Sequence, residues 1–440
     1  MEAVVLAGGL GTRLRSVIQD IPKCMAPIGC PVTPDGTPVS PYGAPVTPDL
    51  IGGLLPQPFL AYIFDWLASY KITRVILSVG YLKESIMEWV SSQDFPFEVD
   101  YAVEETPLGT GGGIRLALSK CRERKVVVVN GDTFFPVDLD AIPFDAPITV
   151  ALKPMTDFDR YGAVSVAPDS LPVTPDGTPV TPDSAPVTPD LIGGLTRVVA
   201  FHEKAHVDHG LINGGVYAIN GLDLSAFPEK FSFEKDVLEP LAATGQVGGW
   251  VSDTYFIDIG IPDDYARAQT ELPQYRALKE ASARVLASDA DTLFLDRDGT
   301  INEHILGDYV RTVEQFKFLP GVLEEFQRWA ARFRRIIIVT NQRGVGRGLM
   351  TDADLAAIHQ YLLKTVQDAG GRIDAILVCT AVDDSDPRRK PNTGMYREAR
   401  QLFPDIRKAV MLGDGDCDRE FALKAGMDFV SVIGNSFITK

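Results

Sequence analysis

Short apolar runs rich in valine, isoleucine and leucine alternate with helix-like segments along most of the chain. One such run, residues 2–6 (EAVVL), precedes a glycine-rich stretch, and another, residues 125–130 (KVVVVN), precedes Gly131 and Asp132. This alternation predicts right-handed β-α-β units around a largely parallel sheet. Ligands bind such sheets at the carboxyl ends of the strands. The pattern therefore predicts an α/β fold and makes the residues after each apolar run candidate site residues.

The alternation is interrupted by a polar, helix-prone stretch at residues 276–289. A chain of 440 residues is too long for one ordinary core, because domains hold roughly 150 residues. We therefore predict an N-terminal Rossmann-like domain over residues 1–275, a linker or connecting helix over 276–289, and a smaller α/β domain over 290–440. Residues 148–258 are richer in strand patterns, so we expect the N-terminal sheet to be mixed.

The overall composition argues against several classes of partner. A net charge of −17 argues against binding to nucleic acid, since such proteins present basic surfaces. The apolar start of the chain soon ends in glycines and arginines, which fits neither a signal peptide nor a membrane span. The five cysteines include no C-x-x-C pair, so neither a disulfide framework nor a zinc ribbon is predicted. We expect a cytoplasmic enzyme with no nucleic-acid partner and no membrane partner.

A proline-rich segment occurs twice, at residues 31–54 and 172–195, with three differences over 24 aligned positions. Each copy contains six prolines, and proline cannot donate to a strand ladder, which argues against a central strand. Removing either copy reconnects a continuous pattern, which indicates insertion into turns, where insertions are tolerated. We predict exposed excursions without catalytic residues. The rival hypothesis is that the first copy is a lid, because it begins a few residues after Lys23.

The first glycine-rich stretch, LAGGLGTRLR at residues 6–15, follows the first apolar run. Glycines allow backbone N–H groups to approach phosphate oxygens closely, and Arg13 adds a fixed positive charge. The spacing is not that of a P-loop, and a plain tight turn is the alternative interpretation. Lys23, in PKCMAP, adds a second cation. Two cations beside one glycine loop favour a nucleoside triphosphate as ligand.

A second glycine-rich loop, EETPLGTGGGI at residues 104–114, follows another predicted strand. Asp132 ends the run VVVVNGD, and Asp258 lies in YFIDIG. Carboxylates at strand ends, in a sheet that already carries a phosphate loop, are candidate Mg²⁺ ligands. Taken singly, each aspartate has the alternative interpretation of a turn or cap residue.

These motifs are followed along the chain by F-x-E-K, N-G-G-x-Y and D-I-G-x-P-x-D-Y. In this combination and order, residues 1–270 resemble the sugar-1-phosphate nucleotidyltransferases. The resemblance is greatest to the heptose-1-phosphate guanylyltransferase branch, near the mannose-1-phosphate enzymes. It implies in-line attack by a sugar phosphate oxygen on the α-phosphate of a nucleoside triphosphate, with release of pyrophosphate. Positioning and charge neutralisation would supply the catalysis, without a protein nucleophile.

The resemblance also assigns roles to the residues of these motifs. Arg13 and Lys23 would neutralise the phosphates, and Asp132 and Asp258 would bind Mg²⁺. The residues expected to contact the nucleotide are Leu6, Gly8, Gly9, Gly11, Thr12, Gly109 and Gly112, the last two by allowing close approach of the base or sugar. The residues expected to hold the sugar phosphate are Glu203, Lys204, Asn213 and Gly214.

A second set of candidate residues lies in the C-terminal part of the chain. These residues follow or end apolar runs and comprise Asp296 and Asp298 in TLFLDRDGT, Thr340 in IIIVTN, Arg389 and Lys390 in RRKP, and Asp414 and Asp418 in MLGDGDCD. By itself the first acidic pair has the alternative interpretation of a solvated surface pair. Together the motifs resemble the haloacid-dehalogenase-type phosphatases over residues 291–433. The resemblance implies a HAD-like Rossmannoid domain with a minimal cap.

By this resemblance Asp296 is the nucleophile that forms an aspartyl-phosphate, and Asp298 is the general acid and base. Thr340 and Lys390 would hold the transferring phosphoryl group, and Arg389 the sugar phosphate. The residues expected to bind Mg²⁺ are Asp296, Asp298, Asp414 and Asp418. The matching phosphatase branch often carries a Cys/His zinc loop before R-K-P. Here Cys379 has no neighbouring histidine, so no structural zinc is expected.

The two resemblances together predict consecutive reactions on one sugar. Removal of the 7-phosphate of D-glycero-D-manno-heptose 1,7-bisphosphate would make the substrate for guanylyl transfer from GTP to the 1-phosphate, giving GDP-heptose. The guanine preference rests on resemblance alone, so another nucleoside triphosphate stays open. The alternative is a mannose-1-phosphate or other hexose-1-phosphate nucleotidyltransferase fused to a phosphatase similar to the histidinol-phosphate enzymes. A third hypothesis makes one domain a regulatory binding module, and a homo-oligomer is compatible with the sequence.

Overall fold

The computed structural model of the chain describes residues 1–9, 14, 17, 21–29, 56–167, 191–305, 307–432 and 437–438. The chain divides into two units, Met1–Thr270 and Glu271–Lys440. Each unit has its own sheet with helices around it, so the predicted α/β class is confirmed. Within the described ranges, none of the helices combines the length and the apolar character that crossing a bilayer requires.

The N-terminal unit contains many short strands and a few helices. Its strands are β1 (Glu2–Leu6), β2 (Pro27–Ile28), β3 (Gln57–Pro58), β4 (Arg74–Val79), β5 (Glu98–Val103), β6 (Lys125–Asn130), β7 (Thr133–Phe134), β8 (Ile148–Phe158), β9 (Gly162–Ala167), β10 (Leu195–Lys204), β11 (Val207–Asn220), β12 (Val247–Val251) and β13 (Ile257–Asp258). Its helices are α1 (Phe59–Ala68), α2 (Lys83–Ser91), α3 (Gly109–Leu118), α4 (Glu239–Ala243) and the first part of α5 (Pro262–Ala287).

The main sheet of this unit is mixed and has the strand order β5-β4-β1-β6-β11-β8-β12-β10-β9. Strands β5, β4, β1 and β6 pair in parallel, as expected for apolar runs that are buried on both faces. Strand β11 is antiparallel to both β6 and β8, and it separates the parallel half from the rest. The core packed against this sheet includes Val4, Ile76, Val128, Ile148 and Tyr217.

Two short ribbons lie beside the main sheet. Strands β7 and β13 pair with Asp258 opposite Thr133, so Asp258 adjoins Asp132, the residue that precedes β7. Strands β2 and β3 pair with Ile28 opposite Gln57. The chain on the two sides of the first proline-rich copy therefore meets in one ribbon.

The proline-rich copies lie almost wholly outside the described residues, so the excursion and the lid both remain predictions. The chain on the two sides of the second copy also meets, because β9 and β10 are antiparallel with Ala167 opposite Arg197. The last residues of this copy belong to the domain. Leu191 packs against the N-terminal core, and Leu195 begins β10. This part of the predicted insertion is therefore structural, because the Leu191 side chain packs against the core and the Leu195 backbone pairs with β12.

The stretch at residues 276–289 is mostly a helix and not an open linker. Helix α5 runs through it as far as Ala287 and contains Pro273. Leu278, Ala281 and Val285 are buried in the core of the C-terminal unit. Their spacing of three and four residues places them on one helical face. Apolar packing of this face holds the stretch as a helix.

The C-terminal unit alternates strands and helices. Its strands are β14 (Thr292–Leu295), β15 (Arg335–Asn341), β16 (Ala375–Cys379), β17 (Ala409–Gly413), β18 (Asp428–Ser431) and β19 (Phe437–Ile438). After α5 its helices are α6 (Val322–Arg332), α7 (Arg343–Gly346), α8 (Asp352–Asp368), α9 (Gly394–Leu402) and α10 (Asp416–Ala425).

The C-terminal sheet has the strand order β16-β15-β14-β17-β18-β19, and only β19 among these strands is antiparallel. Leu293 and Leu295 of β14 belong to one apolar cluster and Phe294 to another, because successive strand residues point to opposite faces. The strand order reverses beside β14, and ligands bind doubly wound sheets at such a point. Residues 296–305 and 307–321, which follow β14, form turns and isolated bridges. The minimal cap stays a prediction.

Candidate active sites

The parallel half of the N-terminal sheet brings its strand ends to one edge. Leu6 ends β1, and its carbonyl accepts a hydrogen bond of 3.0 Å from Gly131 N, just beyond β6. Gly8 and Gly9 follow β1 at this edge, and Gly9 is exposed. The remaining predicted residues of this loop lie outside the described chain, and their nucleotide-binding roles stay predictions: Gly11, Thr12 and Arg13.

Lys23, Asp132 and Asp258 come together at the same edge. Lys23 Nζ lies 3.0 Å from Asp132 Oδ2, and the β7–β13 ribbon holds Asp258 beside Asp132. Burial and the charge of Asp132 raise the pKa of Asp258 to about 6, since both disfavour the ionised carboxylate. Two adjacent carboxylates offer the oxygen ligands that Mg²⁺ prefers. The predicted pair of metal ligands therefore fits a divalent cation, with Lys23 as a neighbouring positive charge.

Glu104 is a residue of this edge that the predicted roles leave out. Its Oε1 accepts a hydrogen bond of 2.9 Å from Ser78 Oγ, and its Oε2 accepts one of 3.1 Å from Leu108 N. A Cβ on Gly8 would come within 2.9 Å of Oε1, and one on Gly113 within 2.8 Å. Both glycine-rich segments thus leave room for this one carboxylate. Its position at the start of EETPLGTGGG, directly after a strand, is the sequence signal that points to it.

Gly109 and Gly112 are explained by packing inside the protein. Gly109 has a φ of 73°, and a Cβ there would lie 2.6 Å from Phe231 O. A Cβ on Gly112 would lie 2.5 Å from Glu229 O. The backbone at residues 229–231 thus fills the space that a side chain would take, and the close approach of a base or sugar stays a prediction.

Asn213 and Gly214, expected to hold the sugar phosphate, lie in β11 where its pairing with β8 is irregular. Asn213 Nδ2 donates a hydrogen bond of 3.0 Å to the Tyr217 hydroxyl. A Cβ on Gly214 would lie 2.3 Å from the ring of Phe135, which follows the strand after Asp132. This irregular segment therefore packs near the Asp132 edge.

Glu203 and Lys204, the other two residues expected to hold the sugar phosphate, end β10. Glu203 Oε1 lies 3.6 Å from Lys235 Nζ, and the Glu203 side chain is 90% exposed. Among the described contacts, none joins Glu203 or Lys204 to Asp132 or Asp258. Gly214 therefore packs on Phe135, three residues after Asp132, and the sugar-phosphate roles of all four residues stay predictions.

Three carboxylates and one amine meet at the end of β14 in the C-terminal unit. Asp296, Asp414 and Asp418 have carboxylate oxygens within 4.8 Å of one another, and we call them the acidic cluster. Asp296 follows β14, Asp414 follows β17, and Asp418 lies in the first turn of α10. Lys390 Nζ lies 2.6 Å from Asp296 Oδ1 and 2.5 Å from Asp418 Oδ1. The structure thus joins four residues that come from three distant motifs.

The charges of this centre perturb one another strongly. Burial, with the charges of Asp418 and Asp414, raises the pKa of Asp296 to about 8. Burial and Asp418 also raise the pKa of Asp414. Although burial favours the neutral amine, the charges of Asp296 and Asp418 raise the pKa of Lys390. One ammonium does not balance three carboxylates, and a cluster of hard oxygen ligands with excess negative charge suits Mg²⁺.

Asp298 belongs to a separate polar network. Arg297 Nη2 donates to both of its carboxylate oxygens at 2.9 Å, and Gln342 Nε2 donates to Oδ2 at 2.7 Å. Gln342 Nε2 also lies 2.8 Å from Thr340 Oγ1, so Thr340 and Asp298 share one neighbour. The Asp298 side chain does not join the acidic cluster among the described carboxylates. Its predicted role in binding the metal ion stays a prediction.

Asn341 and Asp384 hold the segment that carries Arg389 and Lys390. Lys390 N donates to Asn341 Oδ1 at 3.0 Å, and Asn341 Nδ2 donates to Lys390 O at 3.1 Å. Arg389 Nε donates to Asp384 Oδ1 at 2.8 Å, and the Asp384 side chain is 83% exposed. Arg389 thus forms a surface ion pair, and its predicted contact with the sugar phosphate stays a prediction.

The loop before Lys390 is organised by hydrogen bonds. Arg388 N donates to Asp386 Oδ1 at 2.8 Å, and Asn392 Nδ2 donates to the Asp386 carbonyl at 2.8 Å. Cys379 Sγ lies 3.8 Å from Asp386 Oδ1. These hydrogen bonds hold the loop in its conformation. The expectation that the loop binds no zinc stays a prediction.

The two sites define a two-unit enzyme that handles phosphoryl and nucleotidyl groups. Residues 292–432 match the family described as polynucleotide kinase 3 phosphatase. The chain is 41% identical over 282 residues to the D-glycero-alpha-D-manno-heptose 1-phosphate guanylyltransferase of Aneurinibacillus thermoaerophilus, covering 62% of this chain and 100% of that protein.

Two phosphatases are similar to the other part of the chain. The D-glycero-alpha-D-manno-heptose-1,7-bisphosphate 7-phosphatase of Mycobacterium bovis is 38% identical over 133 residues, covering 30% of this chain and 70% of that protein. The corresponding beta-heptose phosphatase of Rhodopseudomonas palustris is 33% identical over 143 residues, covering 30% and 78%. The chain belongs to the heptose-1-phosphate guanylyltransferase family in its N-terminal region and to the heptose-bisphosphate phosphatase family in its C-terminal region, and it is a bifunctional enzyme.

Proposed function

We propose that the two units act in sequence on one sugar. The C-terminal unit hydrolyses the 7-phosphate of D-glycero-α-D-manno-heptose 1,7-bisphosphate. The N-terminal unit then transfers a guanylyl group from GTP to the 1-phosphate, which releases pyrophosphate and gives GDP-heptose. The observation that carries the proposal is that one chain joins these two families, since the product of the first reaction is the sugar phosphate named for the second.

The α anomer follows from the transferase half of the chain. The relatives of the phosphatase half include enzymes for both anomers, whereas the relative of the transferase half is named for the α 1-phosphate. A chain that supplies its own substrate needs one anomer in both reactions. We place both reactions in the cytoplasm, where GTP is formed, and the described cysteines are free thiols there.

In the phosphatase reaction the Asp296 carboxylate attacks the phosphorus of the 7-phosphate, and the bond from phosphorus to the sugar oxygen breaks. Lys390 stabilises the negative charge of the phosphoryl oxygens from its position between Asp296 and Asp418,. Asp298 donates a proton to the departing sugar oxygen. It then accepts a proton from the water that attacks the aspartyl-phosphate. The products are inorganic phosphate and the free Asp296 carboxylate.

Mg²⁺ is the metal that we propose for both units. In the C-terminal unit the acidic cluster would hold the ion, which supplies positive charge to the phosphoryl oxygens and favours the ionised form of Asp296. In the N-terminal unit Asp132 and Asp258 would hold it beside Lys23. The fit rests on the donor sets, which consist of crowded carboxylate oxygens with raised pKa values at Asp258, Asp296 and Asp414.

In the transferase reaction a 1-phosphate oxygen of the heptose attacks the α-phosphorus of GTP, and pyrophosphate leaves. The chain's part is positioning. Lys23 offers its charge to the phosphates at this edge of the sheet, and Glu104 lies between the two glycine-rich segments, close to Gly8 and Gly113. Asn213, in the irregular segment of β11, would hold the sugar phosphate. Alignment and charge neutralisation of this kind supply much of the rate enhancement in such displacements.

The test is a substrate panel with the purified full chain and Mg²⁺. Phosphate release is measured from the α and β heptose 1,7-bisphosphates and from histidinol phosphate. Pyrophosphate release is measured from GTP, ATP, CTP and UTP with heptose 1-phosphate or mannose 1-phosphate. The proposal predicts the highest kcat/KM for the α-heptose substrates and GTP. Preference for a hexose 1-phosphate, or failure to release phosphate from the α-bisphosphate, would contradict it.

A further inference from the structure

Arg297 lies between the two aspartates of the D-R-D motif, and its side chain has no solvent exposure. A guanidinium stays protonated in proteins, so a buried one needs a negative partner and hydrogen-bond acceptors. The partner is Asp298, whose two oxygens each accept from Arg297 Nη2 at 2.9 Å. Arg297 Nε lies 3.3 Å from Asp298 Oδ1. The motif therefore buries a cation, and its ionic partner is the adjacent carboxylate of Asp298.

Two amides complete the support of the Asp298 carboxylate. Asn302 Nδ2 donates to Oδ1 at 2.9 Å, and Gln342 Nε2 donates to Oδ2 at 2.7 Å. Within the described chain, Asn302 Oδ1 and Gln342 Oε1 are buried without a hydrogen-bond partner. Both amide groups thus point their nitrogens at the carboxylate, although this orientation leaves their own oxygens without hydrogen-bond partners. This arrangement fixes the carboxylate in one direction.

His359 holds the other end of the guanidinium. It lies on α8, and its Nε2 is 3.2 Å from Arg297 Nη1. Because Arg297 can only donate, His359 Nε2 must accept, and the imidazole is therefore neutral. Burial and the Arg297 charge lower the pKa of His359 to about 4, which agrees with a neutral ring. The guanidinium is thus clamped between a carboxylate and an imidazole.

We propose that Arg297 is a positioning residue that aims the Asp298 carboxyl group at the leaving sugar oxygen, and that His359 completes this support from α8. The inference rests on the proposed phosphatase function, in which Asp298 donates the proton. Neither residue reacts. Arg297 acts by fixing the direction of Asp298, and His359 acts by fixing Arg297. The first chemical step thus depends on a histidine 62 positions away from Arg297 in the sequence.

Leaving-group dependence distinguishes this role from a merely structural one. An alkyl phosphate needs a proton on its departing oxygen, whereas 4-nitrophenolate leaves without one. The experiment compares kcat/KM for D-glycero-α-D-manno-heptose 1,7-bisphosphate and for 4-nitrophenyl phosphate, because this parameter reports the step in which the leaving group departs. For Arg297→Met we expect the bisphosphate value to fall by about 10²-fold or more, in the range of general acid catalysis. The 4-nitrophenyl phosphate value should fall far less.

His359 provides a matched pair of variants should Arg297→Met fail to fold. The side-chain oxygen of His359→Gln can accept from Arg297 Nη1, whereas His359→Leu offers no acceptor. We expect His359→Leu to lower kcat/KM for the bisphosphate relative to kcat/KM for 4-nitrophenyl phosphate. His359→Gln should keep this ratio close to the wild-type value. Lys364→Gln, on the same helix in an exposed ion pair with Asp368, should leave both values unchanged.

A double variant tests whether Arg297 acts through Asp298. In an Asp298→Asn background, adding Arg297→Met should cause little further loss with the bisphosphate, because the two residues act as one unit. Three results would each overturn the inference. The first is an equal loss of kcat/KM for both substrates in Arg297→Met, and the second is an unchanged ratio of these values in His359→Leu. The third is full additivity of the two losses in the double variant. A wild-type chain that hydrolyses neither substrate would instead refute the proposed function, and the inference with it.

Discussion

Lys390 Nζ and Asp296 Oδ1 lie 2.6 Å apart in the buried centre of the C-terminal unit, although 94 positions separate them in the sequence. The same ammonium contacts Asp418 Oδ1 at 2.5 Å. It is therefore the positive partner of a crowded acidic centre, and its removal would leave carboxylates facing one another. This relationship makes Lys390 the residue through which the charge of the phosphatase site is most directly altered.

Replacing Lys390 with methionine should lower the rate of phosphate release by about 10²-fold or more, as for the loss of a preorganised charge in other active sites. The reason is that the phosphoryl oxygens lose their cation while the side-chain volume is largely kept. Phosphate release from the heptose bisphosphate at saturating Mg²⁺ measures the effect. Lys424→Gln, which removes an exposed ammonium paired with Glu420, is the control. Near-normal phosphate release by the methionine variant would contradict this role.

Gly299 should be irreplaceable in the phosphatase site. It has a φ of 85°, and a Cβ there would lie 2.0 Å from Asp414 Oδ2. Gly299→Ala should therefore displace a carboxylate of the acidic cluster and lose Mg²⁺-dependent phosphate release, with the transferase activity kept. Gly370→Ala is a matched control, because its φ is 78° and its nearest neighbour would lie at 3.8 Å.

The two glycine variants share one cost and differ in the other. An alanine in the left-handed conformation costs roughly 1–2 kcal/mol of stability, so both variants should slightly lower the thermal unfolding temperature of the C-terminal unit. Only Gly299→Ala should also lose the stabilisation that Mg²⁺ confers in the same melting experiment. Equal losses of activity in the two variants would show that backbone strain, and not the contact with Asp414, explains the requirement for glycine.

The sequence predicts the location of the catalytic groups better than their partners. Asp296 and Asp414 could be placed together because parallel strands end at one edge of a sheet. The same argument places Asp132 at the strand-end edge of the N-terminal sheet. Arg297 and His359 could not be paired in this way. Their contact depends on how α8 packs against the D-R-D turn, and helix packing leaves little trace in local patterns. Glu104 follows a strand and could have been found by the strand-end argument, but its hydrogen bond with Ser78 of the neighbouring strand could not.

Glycines show a second limit of inference from the sequence. A glycine-rich loop suggests room for a ligand, but a side chain at Gly109 or Gly112 would also collide with the backbone at residues 229–231. Close approach of protein backbone and close approach of a nucleotide need the same residue type. Helix α5 shows a third limit, because the polar residues of 276–289 concealed the buried face formed by Leu278, Ala281 and Val285.

The Mg²⁺ requirement of the transferase should depend on pH through Asp258. Its pKa is raised to about 6, and a proton on this carboxyl competes with the metal ion. The apparent affinity for Mg²⁺ should therefore fall as the pH falls through about 6 and level off above about 7. Pyrophosphate release over a range of Mg²⁺ concentrations, at pH 5.5, 6.5 and 7.5, measures this affinity. The same Mg²⁺ dependence at all three pH values would contradict the assignment of Asp258 as a ligand.

Both proline-rich copies should be removable without loss of activity. The chain meets on either side of each copy, at Ile28 and Gln57 and at Ala167 and Arg197, so a short turn can replace each. Deletion of residues 31–54 and of residues 172–190 should preserve transferase and phosphatase turnover. The second deletion stops before Leu191, which packs in the core. A selective loss of transferase turnover after the first deletion would favour the lid.

The central claim is that one chain converts a heptose bisphosphate into GDP-heptose in two ordered steps. The most direct measurement follows phosphate, pyrophosphate and GDP-heptose together, with the α-bisphosphate, GTP and Mg²⁺, for the wild-type chain and Asp296→Asn. The wild-type chain should release one phosphate and one pyrophosphate for each GDP-heptose formed. Asp296→Asn should form none from the bisphosphate, yet form it at the wild-type rate from heptose 1-phosphate. GDP-heptose made from the bisphosphate by Asp296→Asn at the wild-type rate would contradict the claim.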